Sequence, residues 1–426
     1  MAETKLVVDN REQLWTLLVE AAQIEHMVMC QYLYACSSLK TEPDEGLTAE
    51  QADAVARWDK TVTGIAIEEM LHLALITNVM TAIGAGPTLS RPNFPRHSEY
   101  LPPGVEFALL PFGGDSLTHF LYLERPEGME RVDAAEFVPA APPPAPVVGA
   151  EVMPRPQDFL TVGHLYRGIE HGLDDLASQL GEQVLFVGEP RAQATPERFR
   201  YPQLIAVTDL ASAHAAIDEV IEQGEGARGD WRPAHYGRFF GIWNEYQKLR
   251  EQDPSFEPAR PVMPAFTQQP YDLDQPQPQP TEPLTREVAE LFNLGYEVLL
   301  HVLTRFFTHT DETDEQLDAL VGAAFGIMTG VLKPLGTTLT RLPFGPASPD
   351  HTAGPAFQMY YQIGNFVPWR DAAWVLLSER AAILSRQCAE TASHAGVPDA
   401  VSSAAAAAAG IARQIARYVP DNLRPA

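Results

Sequence analysis

The sequence predicts an all-α protein: a four-helix bundle with a long crossover insertion containing short strands, then a helical C-terminal region. Three observations carry this. Apolar residues recur at spacings of three and four over four long stretches between residues 11 and 226. The stretches form two close pairs, separated by the segment 87–156. Three of them set a carboxylate inside the apolar seam, where a bundle helix ordinarily carries only hydrocarbon.

The first helix is expected over 11–39, with Asn10 as its cap. The second is expected over 48–83. Thr48 and Gln51 make a capping box there, and Gly84 and Gly86 are stop signals. The third is expected over 156–180, and the fourth from Tyr201 to the glycines Gly224 and Gly226. A shorter fifth helix covers 233–251. Two helical hairpins joined by one long crossover is the layout of ferritin-like bundles.

Within the crossover, 107–112 and 118–123 read as short strands flanking Gly113 and Gly114. The Pro/Ala run 139–146 reads as an extended linker. Residues 1–252 therefore form the bundle domain, and the Pro/Gln-rich segment 253–284 forms a linker. Residues 285–426 form a C-terminal domain with helices over 285–309, 315–332, 369–394 and 399–418.

Composition narrows the class. The chain is 45% hydrophobic and 20% charged, with a formal net charge of −26. That balance describes a globular protein and argues against nucleic acid and anionic membranes as partners. A small-molecule substrate is the expected partner, and a homo-oligomer stays open. The cysteines Cys30, Cys36 and Cys388 have neither CxxC nor disulfide-framework spacing. The N-terminal residues lack the pattern of a signal peptide, and no uncharged apolar run is long enough for a bilayer span, so a cytoplasmic protein is expected.

The chemistry resides in the seams. On the second helix, Glu69 and His72 are three apart and continue the series Val62, Ile65, Ile76, Val79, Ile83. On the first, Glu25 interrupts Leu14, Leu18, Ala21, Val28, Tyr32, Ala35. On the third, Glu170 lies among Gly163, Tyr166, Leu173 and Ala177. Most Glu-x-x-His pairs on helices are surface pairs. Three seam carboxylates on separate helices are different, because burying each one alone is costly and a shared cation offsets the cost. Carboxylate and imidazole are the donors that iron and manganese accept in such bundles.

The fourth helix is less regular. His214 lies on its apolar stripe and reads as a satisfied core histidine. Glu222 and Glu225 form an ExxE, and His235, beyond the glycine break, could fold back to supply an imidazole. His26 and Glu68 read as neighbours of the ligands and His171 as solvent-facing. Glu297 with His301 reads as structural, and Tyr32 and Tyr166 as core aromatics beside the cavity.

The segments QIEHMVMCQYLYA, IAIEEMLHLALITNVMTAIGAGP, VGHLYRGIEHGL and VIEQGEGA with AHYGRF resemble the ferritin-like domain of the iminophenyl-pyruvate dimer synthase family, over about residues 10–250. That family includes violacein and rebeccamycin biosynthesis proteins, which couple oxidised tryptophan-derived imines. The resemblance implies a metal cluster of Glu25, Glu69, His72, Glu170, Glu222 and His235, with Glu222 preferred to His214. It also implies a natural-product or amino-acid-related pathway.

The leading expectation is a non-haem metal-dependent oxidoreductase. One or two iron ions, or manganese or another divalent metal, would act on a small amino-acid-derived substrate. Metal binding without catalysis and redox-neutral imine coupling are the alternatives.

Overall fold

Asn10 begins the first helix: its side chain accepts the N–H of Gln13, and α1 runs Arg11–Ser38. Thr48 and Gln51 close the expected capping box on α2, Ala49–Ala82. In this computed structural model the described residues are 6–42, 44–97, 106–134, 159, 161–226, 230–267, 278–360 and 368–424. They divide into two compact units, one drawn mainly from residues before 260 and the other from Arg260 onward together with Leu89–Phe94 and Leu109–Pro111.

In the first unit, α4 (Val162–Leu180) is capped by Thr161, and α7 (Leu210–Gly224) by Asp209. Helix α1 packs on α2 and α4, and α7 also packs on α2 and α4, which closes a four-helix ring. The short helices α5 (Glu182–Leu185) and α6 (Pro196–Phe199) lie in the α4–α7 connection. Helix α8, His235–Gln252, packs on α2 and α7. The fourth bundle helix starts at Leu210 rather than Tyr201, because Asp209 with Ser212 forms a capping box at that point.

The crossover departs from expectation. Segment 118–123 is not a strand but most of α3, Gly114–Leu123, which packs on α8. Four of the six residues in this short segment, His119, Phe120, Leu121 and Leu123, are buried, and six residues are too few to tell a buried helix from a strand by pattern. Of segment 107–112, only Phe107 is in a strand. The pairing is Glu106–Phe107 against Arg96–His97, antiparallel. The Pro/Ala run 139–146 lies outside the described residues. Phe256, from the expected linker, is buried against Trp58 and Tyr246 in the first unit.

The second unit holds α9 (Pro283–Phe307), α10 (Asp314–Ile327), α11 (Lys333–Leu339), α12 (Arg370–Ala392) and α13 (Asp399–Ala416). Between α10 and α11 a π-helical turn spans Met328–Leu332. Pro334 withholds an N–H from the preceding turn, and the ladder widens there rather than breaking. Two helical stretches, Ala49–Ala82 and Asp314–Leu339, are long and apolar enough by composition to cross a bilayer. Both bury most of that apolar window within the protein, as core helices do.

Candidate metal centre

The seam of α2 is fully interior: Val62, Ile65, Ile76, Val79 and Ile83 are buried, and so are Glu69 and His72, at 2% and 1% exposure. Glu25 on α1 is 3% exposed and His235, the first residue of α8, is fully buried. Glu124, the residue that ends α3, completes the cluster. These side chains form two groups, Glu25–Glu69–His72 and Glu69–Glu124–His235, whose donor atoms lie within 4.8 Å of one another in each group.

Glu69 belongs to both groups. One of its oxygens lies 2.8 Å from His72 Nδ1 and the other 2.9 Å from His235 Nδ1. His72 Nδ1 is also 3.3 Å from Glu25, and His235 Nδ1 is 3.6 Å from Glu124. The two imidazoles stack with centroids 5.3 Å apart.

The outer atoms of the cluster are taken. Tyr166 donates to Glu25 Oε1 and Tyr32 to Glu124 Oε1. The Gln223 amide donates to the Glu219 carboxylate, which can only accept, so its carbonyl faces His72 Nε2 at 3.0 Å. Glu68 accepts from His235 Nε2 at 2.9 Å and is itself gripped by Arg238. Both imidazoles therefore keep a proton on the outer nitrogen and aim Nδ1 inward.

The acids and imidazoles of the cluster set one another's charge. Burial, then repulsion from Glu69, pushes the Glu25 carboxyl up to about 7. Burial lowers His72, but Glu69 and Glu25 outweigh it and raise the imidazolium to about 10. Burial opposes charge on His235 as well, and Glu69 and Glu124 hold it well above its ordinary value. Burial alone would raise Glu69, yet His235 and His72 hold it below the usual carboxylate range.

The donors fit a metal. His235 Nδ1 is buried and has no hydrogen bond of acceptable geometry. The cluster borders a cavity of about 30 Å³, walled by Ile24, Val28, Leu123, Val162, Val220 and Ile221. That is room for roughly two water-sized spheres. Each buried carboxylate costs several kcal/mol, whereas a buried Val or Ile of the seam returns about 1.5–3.

The ferritin-like family profile matches residues 18–244, more than half of the chain. The chain belongs to the ferritin-like family. A dichlorochromopyrrolate synthase from Lentzea aerocolonigenes is 29% identical to it over 430 aligned residues, 92% of this chain and 40% of that protein. A 2-imino-3-(indol-3-yl)propanoate dimerase from Chromobacterium violaceum is 29% identical over 368 residues, 82% of this chain and 34% of that protein. Both match the iminophenyl-pyruvate dimer synthase proteins that the helix motifs resemble. This ferritin-like chain spans less than half the length of the curated relatives it matches. The likeness is wider than residues 10–250, since 92% coverage takes in much of the C-terminal unit. A ferritin-like protein from Caulobacter vibrioides superposes with a TM-score of 0.47 at 17% identity, over 74% of this chain and 94% of that one.

Of the residues singled out in the sequence, Glu25, Glu69, His72 and His235 come together, and Glu170 and Glu222 do not. The buried face of α4 runs through Tyr166, Ile169, Leu173 and Leu176, one residue off Glu170. Glu170 turns instead to His214, 3.3 Å away, and the far nitrogen of that ring lies 2.8 Å from Asp174. His214 is thus a half-exposed bridge between α4 and α7 rather than a core histidine. Glu222 is exposed.

Glu225 lies four residues beyond Ile221, on the same stripe, and lines the cavity in its place. It accepts from the backbone N–H of Gly163 at 2.9 Å and of Glu127 at 3.2 Å. Burial pushes its carboxyl up against those two donors. A Cβ on Gly163 would fall 2.3 Å from its carboxyl carbon, so glycine is required for this approach.

Sequence reasoning missed Glu124 because its segment read as a strand. Read as a helix, Leu117, Phe120, Leu121 and Glu124 make the three-and-four series that singled out Glu25 and Glu69.

Proposed function

We propose that this chain is a metal-dependent enzyme of natural-product biosynthesis whose bundle holds two divalent ions, iron foremost. Its substrate would be a small amino-acid-derived compound such as a 2-imino acid, which it oxidises. One observation carries the reading: Glu69 faces two inward-aimed imidazoles with its two oxygens, and each imidazole has its own second carboxylate. Glu69 would bridge the ions, with Glu25 and His72 on one and Glu124 and His235 on the other. Tyr166 and Tyr32 hold the outer oxygens of Glu25 and Glu124, leaving one oxygen of each for the cation. Bound iron would supply oxygen-dependent oxidation. The apolar walls exclude water, and Glu225 offers a buried carboxyl able to take or give a proton at the cavity edge.

The relatives' names support the substrate class, since one is a dimerase of an indolyl imino acid. The same name favours a second reading, redox-neutral imine coupling with the metal as Lewis acid or staple. Aerobic incubation of iron-loaded protein with tryptophan-derived and other 2-imino acids separates the readings. Substrate-dependent oxygen uptake with product formation is expected. Coupled product without oxygen uptake selects the second reading. Stoichiometric iron with every substrate unchanged selects metal binding without catalysis.

A further inference from the structure

The two halves of the cluster look equivalent from inside, each with a carboxylate, an imidazole and a share of Glu69. They differ outside. His72 Nε2 meets the neutral carbonyl of Gln223 at 3.0 Å. His235 Nε2 meets the Glu68 carboxylate at 2.9 Å, and Arg238 holds both oxygens of that carboxylate. Glu68 is no ligand, because its oxygens point away from the cavity into this clamp.

An imidazole that donates its outer N–H to a carboxylate gains electron density at the inner nitrogen, and one that donates to an amide gains less. The clamp also fixes the ring's plane. The outer nitrogen of His235 is tied to a residue on α2, one position from Glu69, so the orientations of the two donors are set together.

We propose that the centre is unequal by construction. The position formed by Glu69, Glu124 and His235 takes the first metal ion, and Glu68, held by Arg238, is the positioning residue that makes it the tighter one. The position of Glu25 and His72 fills second and exchanges its ion more readily, and is therefore the position free to exchange ligands. This rests on the two-ion reading above.

The test is titration of the metal-free protein with cobalt(II), followed by calorimetry and by the visible d–d bands. Wild type should show two resolved steps. Glu68→Gln keeps an acceptor but removes the charge, and should weaken the first step roughly 10–100-fold while leaving the second in place. Arg238→Met, which frees Glu68 without altering it, should move the first step in the same direction by less. Gln223→Leu should weaken the second step only. The persisting step in each variant reports that the bundle is folded. Two equal steps in wild type, a first step unmoved by Glu68→Gln, or a first step weakened by Gln223→Leu would each overturn the inequality and leave the two-ion reading standing. No cobalt bound by wild type would remove both.

Discussion

Each unit of this protein buries charge, and the two do it differently. In the C-terminal unit Arg305 and Glu312 are both fully buried, with Nη2 to Oε1 at 2.5 Å. Glu312 also accepts from the Thr310 backbone N–H at 2.9 Å and from the Trp374 indole at 3.3 Å. One positive and one negative group meet, and the hydrogen bonds close around them. In the bundle, three carboxylates and two imidazoles share one apolar pocket, and the buried Nδ1 of His235, 2.9 Å from Glu69 and 3.6 Å from Glu124, makes no hydrogen bond of acceptable geometry. The first arrangement is electrically complete. The second is complete only if its imidazoles hold extra protons or a cation enters. A closed pair is architecture, whereas an open cluster is a candidate site.

The sharpest way to break this contrast is to remove the shared carboxylate. Glu69→Ala should abolish metal binding at both positions, a loss of more than about 100-fold, measured by metal analysis of protein purified without chelator. The second unit should be unaffected. Retention of one full equivalent of metal would show that Glu69 is not shared.

The converse change is Glu312→Gln. It strands a buried guanidinium and should cost about 3–5 kcal/mol of stability in denaturant unfolding, with metal content unchanged. A cost under about 1 kcal/mol would mean that the pair is not the closed element described.

Acidity sharpens the comparison further. In the metal-free protein His72 is raised from 6.5 to about 10 and Glu25 from 4.5 to about 7. For both, the folded chain holds its proton longer than the unfolded chain. The stability from His72 is complete below pH 6.5 and is lost as pH rises through 10, and that from Glu25 is complete below pH 4.5 and lost through 7. Metal-free stability should therefore fall as pH rises across this range. Metal ligation displaces those protons, so stabilisation by metal should grow over the same range. Thermal melts with and without metal at several pH values should diverge as pH rises; a constant gap contradicts the assignment.

The smallest effect is expected from Glu170→Ala and Glu222→Ala. Both side chains lie outside the cluster, and metal content should be unchanged in each variant. Loss of an equivalent would return either residue to the ligand set.

Much of this was legible in the residue order. Glu25, Glu69 and His72 declared themselves by occupying seam positions of long helices, where periodicity is well determined. Glu170 misled because α4 is rich in glycine at Gly163, Gly168 and Gly172, so its seam can be drawn one residue either way. Two of these glycines lie under Leu6 and Val8, contacts that the helix's own pattern does not reveal. Glu222 and Glu225 differ by less than one turn, and only the packing of Ile217 and Ile221 decides between them. Glu124 was hidden because its short helix is mostly buried and shows only Asp115 fully exposed, too little to set its phase from sequence.

The cluster draws its donors from positions 25, 69, 72, 124 and 235, on four different helices. Metal held there, on the proposed reading, would tie together stretches of chain more than two hundred positions apart, as a disulfide crosslink does. It would fasten the end of the small crossover helix and the start of α8 to the bundle itself. The same atoms that hold the reagent would then set how firmly its container stays shut.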